Sequence, residues 1–153
     1  MAHQKIEMTK IEPAQRIEFD FEGSANFARR INRRTTSFLG TIEWSWSPAN
    51  WRMDSYYLQR RRAHWILWLK RHRDYGEEWE TPIAIARCQR EGFAQDHKAT
   101  AMILLAAVLT EEIRQFGSEL DRFHAITEAG LLSTKELDVV ADTVWGTQPE
   151  SRD

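Results

Sequence analysis

The segment Asp96–Phe116, DHKATAMILLAAVLTEEIRQF, contains the longest apolar run of the chain. Its centre, Ala101–Leu109, has nine consecutive apolar residues. A helix without a polar face is buried in a soluble protein, and nine residues are too few to cross a bilayer. Asp96 is a favourable N-cap residue, and Gly117 occupies the expected place of a C-terminal cap. The sequence therefore predicts a central core helix around which the other elements pack.

Alternating apolar and polar residues predict three strands in the first third of the chain. Lys5–Glu12 and Arg16–Glu22 both alternate, and Pro13-Ala14 lies between them, a pattern that favours an N-terminal hairpin. Thr41–Ser47 alternates in the same way and ends at the next proline. We expect this third strand to pack against the hairpin.

Capping residues, glycine stops and helical spacing predict the remaining elements to be helices. A capping box, Ser133 with Glu136, marks the start of the last one. The predicted helices besides the central one are Ser24–Phe38, Asp54–Asp74, Thr81–Gly92, Ser118–Gly130 and Ser133–Gly146.

These elements together predict a predominantly helical α+β fold. It is a helical bundle around the central apolar helix at about 96–116, with a small N-terminal antiparallel β element. At 153 residues the chain is expected to form one domain over 1–146. Residues 147–153 are polar and are expected to be a disordered tail.

Charge is distributed unevenly although the formal net charge is only −2. Between Ser24 and Tyr75, eleven arginines and lysines stand against three acidic residues, whereas the chain from Gly76 onward has a surplus of acids. The two halves can neutralise each other within the fold or present faces of opposite sign to partners. The lone cysteine and an N-terminus without an apolar core are consistent with a cytoplasmic protein.

The basic middle also contains most of the seven tryptophans, which predicts a basic-aromatic binding region. Arginines attract phosphates or acidic proteins, and aromatic rings anchor interfaces or stack on bases. The alternative interpretation is that the aromatic residues form the core and the arginines only solvate helix ends. The candidate binding residues are Arg29, Arg30, Arg33, Arg34, Trp44, Trp46, Trp51, Arg60, Arg61 and Arg62.

A metal site is a weaker hypothesis, carried by Asp121, His124 and Glu128. On a helix this spacing places all three on one face, and carboxylate and imidazole are ligands of metal-binding helical bundles. No second ligand set with matching spacing is evident, so we expect no metal and no cofactor. No nucleophile turn, glycine-rich phosphate loop or other catalytic motif frames the remaining residues.

The sequence therefore favours a non-enzymatic cytoplasmic interaction or regulatory protein whose basic, Trp/Arg-rich surface binds an acidic protein partner. An accessory protein of a bacterium, phage or mobile element fits this size and composition. The alternative is a nucleic-acid-binding protein that uses the same region, and a metal-dependent helical enzyme is the third hypothesis. No membrane association is expected, and the oligomeric state stays open.

Overall fold

The computed structural model describes residues 16–25, 27–46, 50–73, 81–116, 120–126 and 130–146. Within these ranges the chain forms six strands and two helices. In chain order they are β1 (Ile17–Phe19), β2 (Thr36–Trp46), β3 (Asn50–Arg60), β4 (His64–Arg73), β5 (Ile83–Gln89), α1 (His97–Phe116), β6 (Leu120–Ile126) and α2 (Thr134–Gly146). No helix in this part of the chain is long and apolar enough to cross a membrane.

The strands form one antiparallel sheet in the order β1-β5-β4-β3-β2-β6. Strands β2 to β5 pair with their neighbours in sequence. The two edge strands, β1 and β6, pair with β5 and β2, which are distant from them in the chain. The main core lies between the sheet and α1, where Leu105 and Val108 share one buried cluster with Tyr56, Leu58 and Leu67. We call this side of the sheet the helix face and the opposite side the second face.

Both helices that were predicted from capping signals at 96–116 and from Ser133 are present. Asp96 accepts a hydrogen bond from the Ala99 backbone N–H at 2.9 Å, the geometry of an N-cap. At α2 the backbone N–H of Ser133 donates to Glu136 at 2.8 Å, and that of Glu136 donates to the Ser133 hydroxyl at 3.1 Å. Local hydrogen-bond chemistry therefore identified both helix starts correctly.

The prediction of a predominantly helical bundle is wrong, and the segment 54–74 shows why. It forms most of β3 and β4 rather than a helix. On β4, Trp65 and Leu67 pack on the helix face, while Ile66 and Trp68 pack on the second face against a separate small cluster. A strand buried on both faces has a continuous apolar run, which hydrophobic periodicity cannot distinguish from a buried helix.

The other helix predictions fail for reasons that are also local. The described residues of the predicted helix 24–38 form irregular structure at 24–25 and 27–35 and the start of β2 at 36–38; at its beginning, Asp20 accepts hydrogen bonds from the Ser24 hydroxyl and the Ala25 N–H, in competition with a helix. Residues predicted as helices at 81–92 and 118–130 contain β5 and β6. The predicted N-terminal hairpin is not supported, since β1 pairs with β5 and residues 1–15 lie outside the described part. The tail at 147–153 lies outside it as well.

Four charged side chains are buried together between the sheet and α1. Asp54 on β3 contacts Arg52 at 3.1 Å and Arg71 at 3.0 Å, and both arginines reach Glu112 on α1, at 3.2 and 2.6 Å. The Tyr56 hydroxyl donates to Asp54 at 3.4 Å, and burial together with this carboxylate raises the pKa of Tyr56. Two positive and two negative charges therefore compensate one another inside the core, and we call them the buried charge cluster.

Candidate functional site: an arginine cleft

An open cleft of about 640 Å³ lies between the segment that precedes β2 and the turn that joins β3 to β4. This volume lies within the range of ordinary ligand pockets. We call it the arginine cleft, because five of its nine lining residues are arginines. The lining residues are Arg30, Ile31, Asn32, Arg33, Thr35, Gln59, Arg60, Arg61 and Arg62.

One wall of the cleft is a turn organised by Asn32. Its carbonyl accepts a hydrogen bond from the Thr35 N–H at 3.1 Å, and its side-chain oxygen accepts one from the Arg34 N–H at 3.0 Å. An asparagine that bonds to the backbone two residues later is typical of turns. The wall is tied to the sheet where the Arg60 N–H donates to the Thr35 carbonyl at 3.0 Å. The turn therefore holds the segment containing Arg30 and Arg33 at the end of β3.

The opposite wall is the β3–β4 turn, which Arg90 holds from the end of β5. The Arg90 guanidinium donates to the backbone carbonyls of Arg61 at 3.2 Å and Arg62 at 3.3 Å. Its own backbone N–H donates to the Ala63 carbonyl at 2.9 Å, and its guanidinium lies 5.6 Å from the centre of the Trp65 ring. These bonds use the backbone of the turn, so Arg90 positions Arg61 and Arg62 while their side chains remain exposed.

Gln59 connects the Asn32 turn to the sheet at the base of the cleft. Its side-chain nitrogen donates to the Thr35 hydroxyl at 3.4 Å, and its oxygen accepts the Trp68 indole N–H at 3.0 Å. The residue is only 2% exposed. A buried amide with partners at both ends has a fixed orientation, and it therefore sets the relation between the turn and the sheet.

The arginines of the cleft are exposed, and among the described residues none of them forms an ion pair with a carboxylate within 4 Å. Ion pairs in this part of the chain involve other basic residues, for example Arg87 with Glu18 at 2.7 Å and Lys98 with Glu136 at 3.0 Å. Guanidinium groups gathered in a concave surface focus a positive potential and raise the local concentration of anions. The described acidic residues thus leave this charge available to a ligand.

His97, the first residue of α1, lies close enough to the cleft to be influenced by its charge. Burial lowers the pKa of this imidazole, and the Arg60 guanidinium lowers it further, while Asp96 acts in the opposite direction. The imidazole packs against the Trp65 ring, with 5.3 Å between centroids. His64, on β4, has a pKa lowered by burial and by Arg87. Both histidines therefore resist protonation in the folded protein.

We expect the free energy of unfolding to fall as the pH decreases from about 7.5 to about 5.5, because the ordinary pKa of histidine is about 6.5. A pKa that is lower in the folded state means that the unfolded chain takes up protons first, which destabilises the fold. Urea denaturation at both pH values measures this, and His97→Gln should lose less stability than the parent. Arg60→Gln, which keeps the imidazole, should fall between them. An identical loss in the parent and His97→Gln would contradict the expectation.

The other predicted binding residues lie in different parts of the fold. Arg29 and Arg34 are exposed and adjacent in sequence to lining residues, but they do not line the cleft. Trp44 is 0% exposed and packs in the core, where the Arg52 guanidinium lies 4.9 Å from its ring centre. Trp46 and Trp51 are in β2 and β3, and their side chains lie outside the described part of the structure. The structure thus brings Arg30 and Arg33 of the first predicted set together with Arg60, Arg61 and Arg62, without Arg29, Arg34 or Trp44.

The three candidate metal ligands, Asp121, His124 and Glu128, were proposed on the assumption that they lie on one face of a helix. Asp121 and His124 are in β6, a strand, so the helical spacing that would align them on one face is absent there. Glu128 lies outside the described residues. Within the described ranges, no group of three or more histidine, cysteine, aspartate or glutamate side chains has the arrangement to hold a metal ion. Burial also raises the pKa of the Cys88 thiol to about 12, which opposes its use as a nucleophile.

Residues that shape the cleft without carrying its charge were missed in the sequence. Arg90 is distant from both arginine sets in sequence, and no local pattern connects it to the turn that it holds. Gln59, Asn32 and Thr35 give a weak signal, since polar residues next to arginine runs are common on any surface. Only the pairing of β3 with β4 and of β4 with β5 brings these residues together.

Comparison of the chain with protein-family models, with curated proteins and with solved structures finds no match. The chemistry of the arginine cleft is therefore the basis on which a function is inferred.

Proposed function

We propose that this protein is a non-enzymatic, cytoplasmic binding protein that holds the phosphate backbone of a nucleic acid in the arginine cleft. The proposal rests on one observation: five exposed arginines, from two separate segments of the chain, line the same concave surface. A guanidinium group is planar, permanently charged and able to donate two parallel hydrogen bonds to a phosphate. Several of them in one cleft match a ligand whose negative charges are closely and regularly spaced.

The composition of the cleft favours nucleic acid over an acidic protein. Among its nine described lining residues, Ile31 is the one apolar side chain. Centres of protein–protein interfaces are apolar and rich in aromatic residues, whereas interfaces with nucleic acid are more polar and much more positive. Trp44, a candidate anchor for a protein partner, is buried in the core. An acidic protein partner, the first expectation from the sequence, remains the alternative that the experiment distinguishes.

The affinity for nucleic acid is expected to fall steeply as the salt concentration rises. Arginines that bind phosphates release the counterions of those phosphates, and this release is less favourable at higher salt. Fluorescence anisotropy with a labelled 12-nucleotide thymidine strand, between 50 and 200 mM salt, measures the slope of log affinity against log salt. The double variant Arg33→Ala/Arg61→Ala removes one arginine from each wall. It should reduce that slope by about 0.7 for each phosphate that the variant no longer neutralises.

Arg114→Ala is the matched control, because Arg114 is exposed and lies 17 residues along α1 from His97, about 26 Å at 1.5 Å per residue. It should keep the parental slope. Poly-glutamate of similar length is the probe for an acidic polypeptide. Binding of poly-glutamate but of neither the oligonucleotide nor a duplex of the same length would replace nucleic acid by an acidic protein, and binding of none of these probes would refute both functions.

A further inference from the structure

A half-buried aromatic pair lies next to the arginine cleft on the second face of the sheet. Tyr57 is two residues before Gln59 on β3, so the two side chains project from the same face, about 7 Å apart along the strand. Phe38 on β2 lies directly opposite Tyr57 in the sheet register. The two ring centroids are 5.4 Å apart and the rings are inclined by 50°. The aromatic pair is thus the next feature along the second face after Gln59, the residue at the base of the cleft.

The segment before β2 covers only part of this face. Ala28 packs on Ile66, Trp68 and Ala84, which lie on β4 and β5, and Tyr57 borders this small cluster. Phe38 and Tyr57 both keep part of their surface accessible to solvent. The aromatic pair is therefore at the boundary between the covered half of the face and the half formed by β2 and β3.

Polar and basic side chains follow the aromatic pair in the direction away from the cleft. The hydroxyls of Thr41 on β2 and Ser55 on β3 are hydrogen-bonded at 2.9 Å. Lys70 on β4 lies opposite Ser55 in the register and is half-buried. Along the second face, Gln59 at the base of the cleft is thus followed by the aromatic pair, the two hydroxyls and Lys70.

We propose that the ligand of the arginine cleft is a single-stranded nucleic acid, one base of which stacks on the Phe38–Tyr57 pair while the adjoining phosphates lie in the cleft. This inference depends on the proposed function and specifies its ligand. A single strand presents the flat surfaces of its bases, which stack on aromatic side chains irrespective of base identity. In a duplex those surfaces are covered by neighbouring base pairs, so the aromatic pair contributes nothing to duplex binding.

The test compares three labelled probes at one salt concentration: a 12-nucleotide thymidine strand, an abasic strand with the same number of phosphates, and a 12-base-pair duplex. The thymidine strand should bind at least about fivefold more tightly than the abasic strand, the lower limit for stacking of one base. Tyr57→Leu should remove this difference and leave affinity for the abasic strand unchanged. Tyr57→Phe, which keeps the ring, should behave as the parent does.

The possible failures are distinguishable. If Tyr57→Leu no longer gives the circular dichroism spectrum of the folded protein, Phe38→Leu replaces it in the comparison of the thymidine and abasic strands. The difference in affinity of the parent protein for these two strands is measured without any variant. Equal affinity of the parent for the thymidine and abasic strands would overturn stacking while leaving phosphate binding intact. Tighter binding of the duplex would overturn the single-strand inference. Absence of binding to all three probes would remove the proposed function itself.

Discussion

Asp54→Ala is expected to lower the free energy of unfolding by about 3–5 kcal/mol, the cost of breaking a buried ion pair by removing one partner. Asp54 is 0% exposed and contacts both arginines of the buried charge cluster. Without it, Glu112 is the one carboxylate left within the cluster, so two buried guanidinium groups stand against a single negative charge of the cluster. Urea denaturation at pH 7 measures the loss.

Glu18→Ala is the matched control for this experiment, since Glu18 also forms an ion pair with an arginine on the sheet. That pair is exposed, with 58% of the Glu18 side chain accessible, and exposed ion pairs contribute at most about 1 kcal/mol. If Asp54→Ala were no more destabilising than Glu18→Ala, the buried charge cluster would not compensate charge in the core. Simultaneous apolar replacement of all four charged residues should cost less than Asp54→Ala alone, because no charge is then left buried.

Leu105→Asp is expected to abolish cooperative folding at pH 8. Leu105 is 0% exposed in the middle of α1, and removing a buried leucine side chain alone costs about 2–5 kcal/mol. The introduced carboxylate adds the cost of burying a charge without a partner, so the total approaches the whole stability of a domain, about 5–15 kcal/mol. Thermal unfolding followed by circular dichroism tests this directly.

Leu105→Asn separates the effect of charge from the effect of size, since asparagine has nearly the same volume as aspartate but no charge. Burial raises the pKa of a carboxyl group, so the folded Asp variant binds a proton more readily than its unfolded chain does. Its stability relative to Leu105→Asn should therefore recover as the pH falls from 8 to 5, by up to about 1.4 kcal/mol per pH unit. A cooperative transition at the parental temperature for Leu105→Asp would show that the centre of α1 is not buried as described.

The starts of the two helices were predicted from local signals, although cap and stop residues of the same kind gave wrong helices at 24–38, 81–92 and 118–130. The Asp96 cap and the capping box of Ser133 and Glu136 are made by residues within four positions of one another, and both are present. The sheet was not predictable in the same way. On β3 the residues facing the core include Arg52 and Asp54, so charged side chains occupy positions where strand patterning expects apolar ones. Their partner Glu112 lies far along the chain, so no local pattern reveals that these charges are buried.

The candidate site was predicted in part. The arginines were identified from their density in the sequence, but helical spacing gave no basis for placing Arg33 beside Arg61. Their proximity follows from the turn at Asn32 and from Arg90, which act across strands that had been predicted to be helices. Trp44 was selected as a surface anchor because tryptophan occurs both in cores and at interfaces. Composition alone does not distinguish these two environments.

The order of the strands has a consequence for how the protein folds. Strands β2 to β5 pair with sequence neighbours, whereas Ile17 of β1 pairs with Cys88, and Thr41 of β2 pairs with Ile126. Loop-closure entropy makes the distant pairings slower to form, so the inner meander is expected to assemble first and the outer strands to join last. Until they do, β5 and β2 present unpaired backbone edges, and these are the surfaces through which two folding chains would associate.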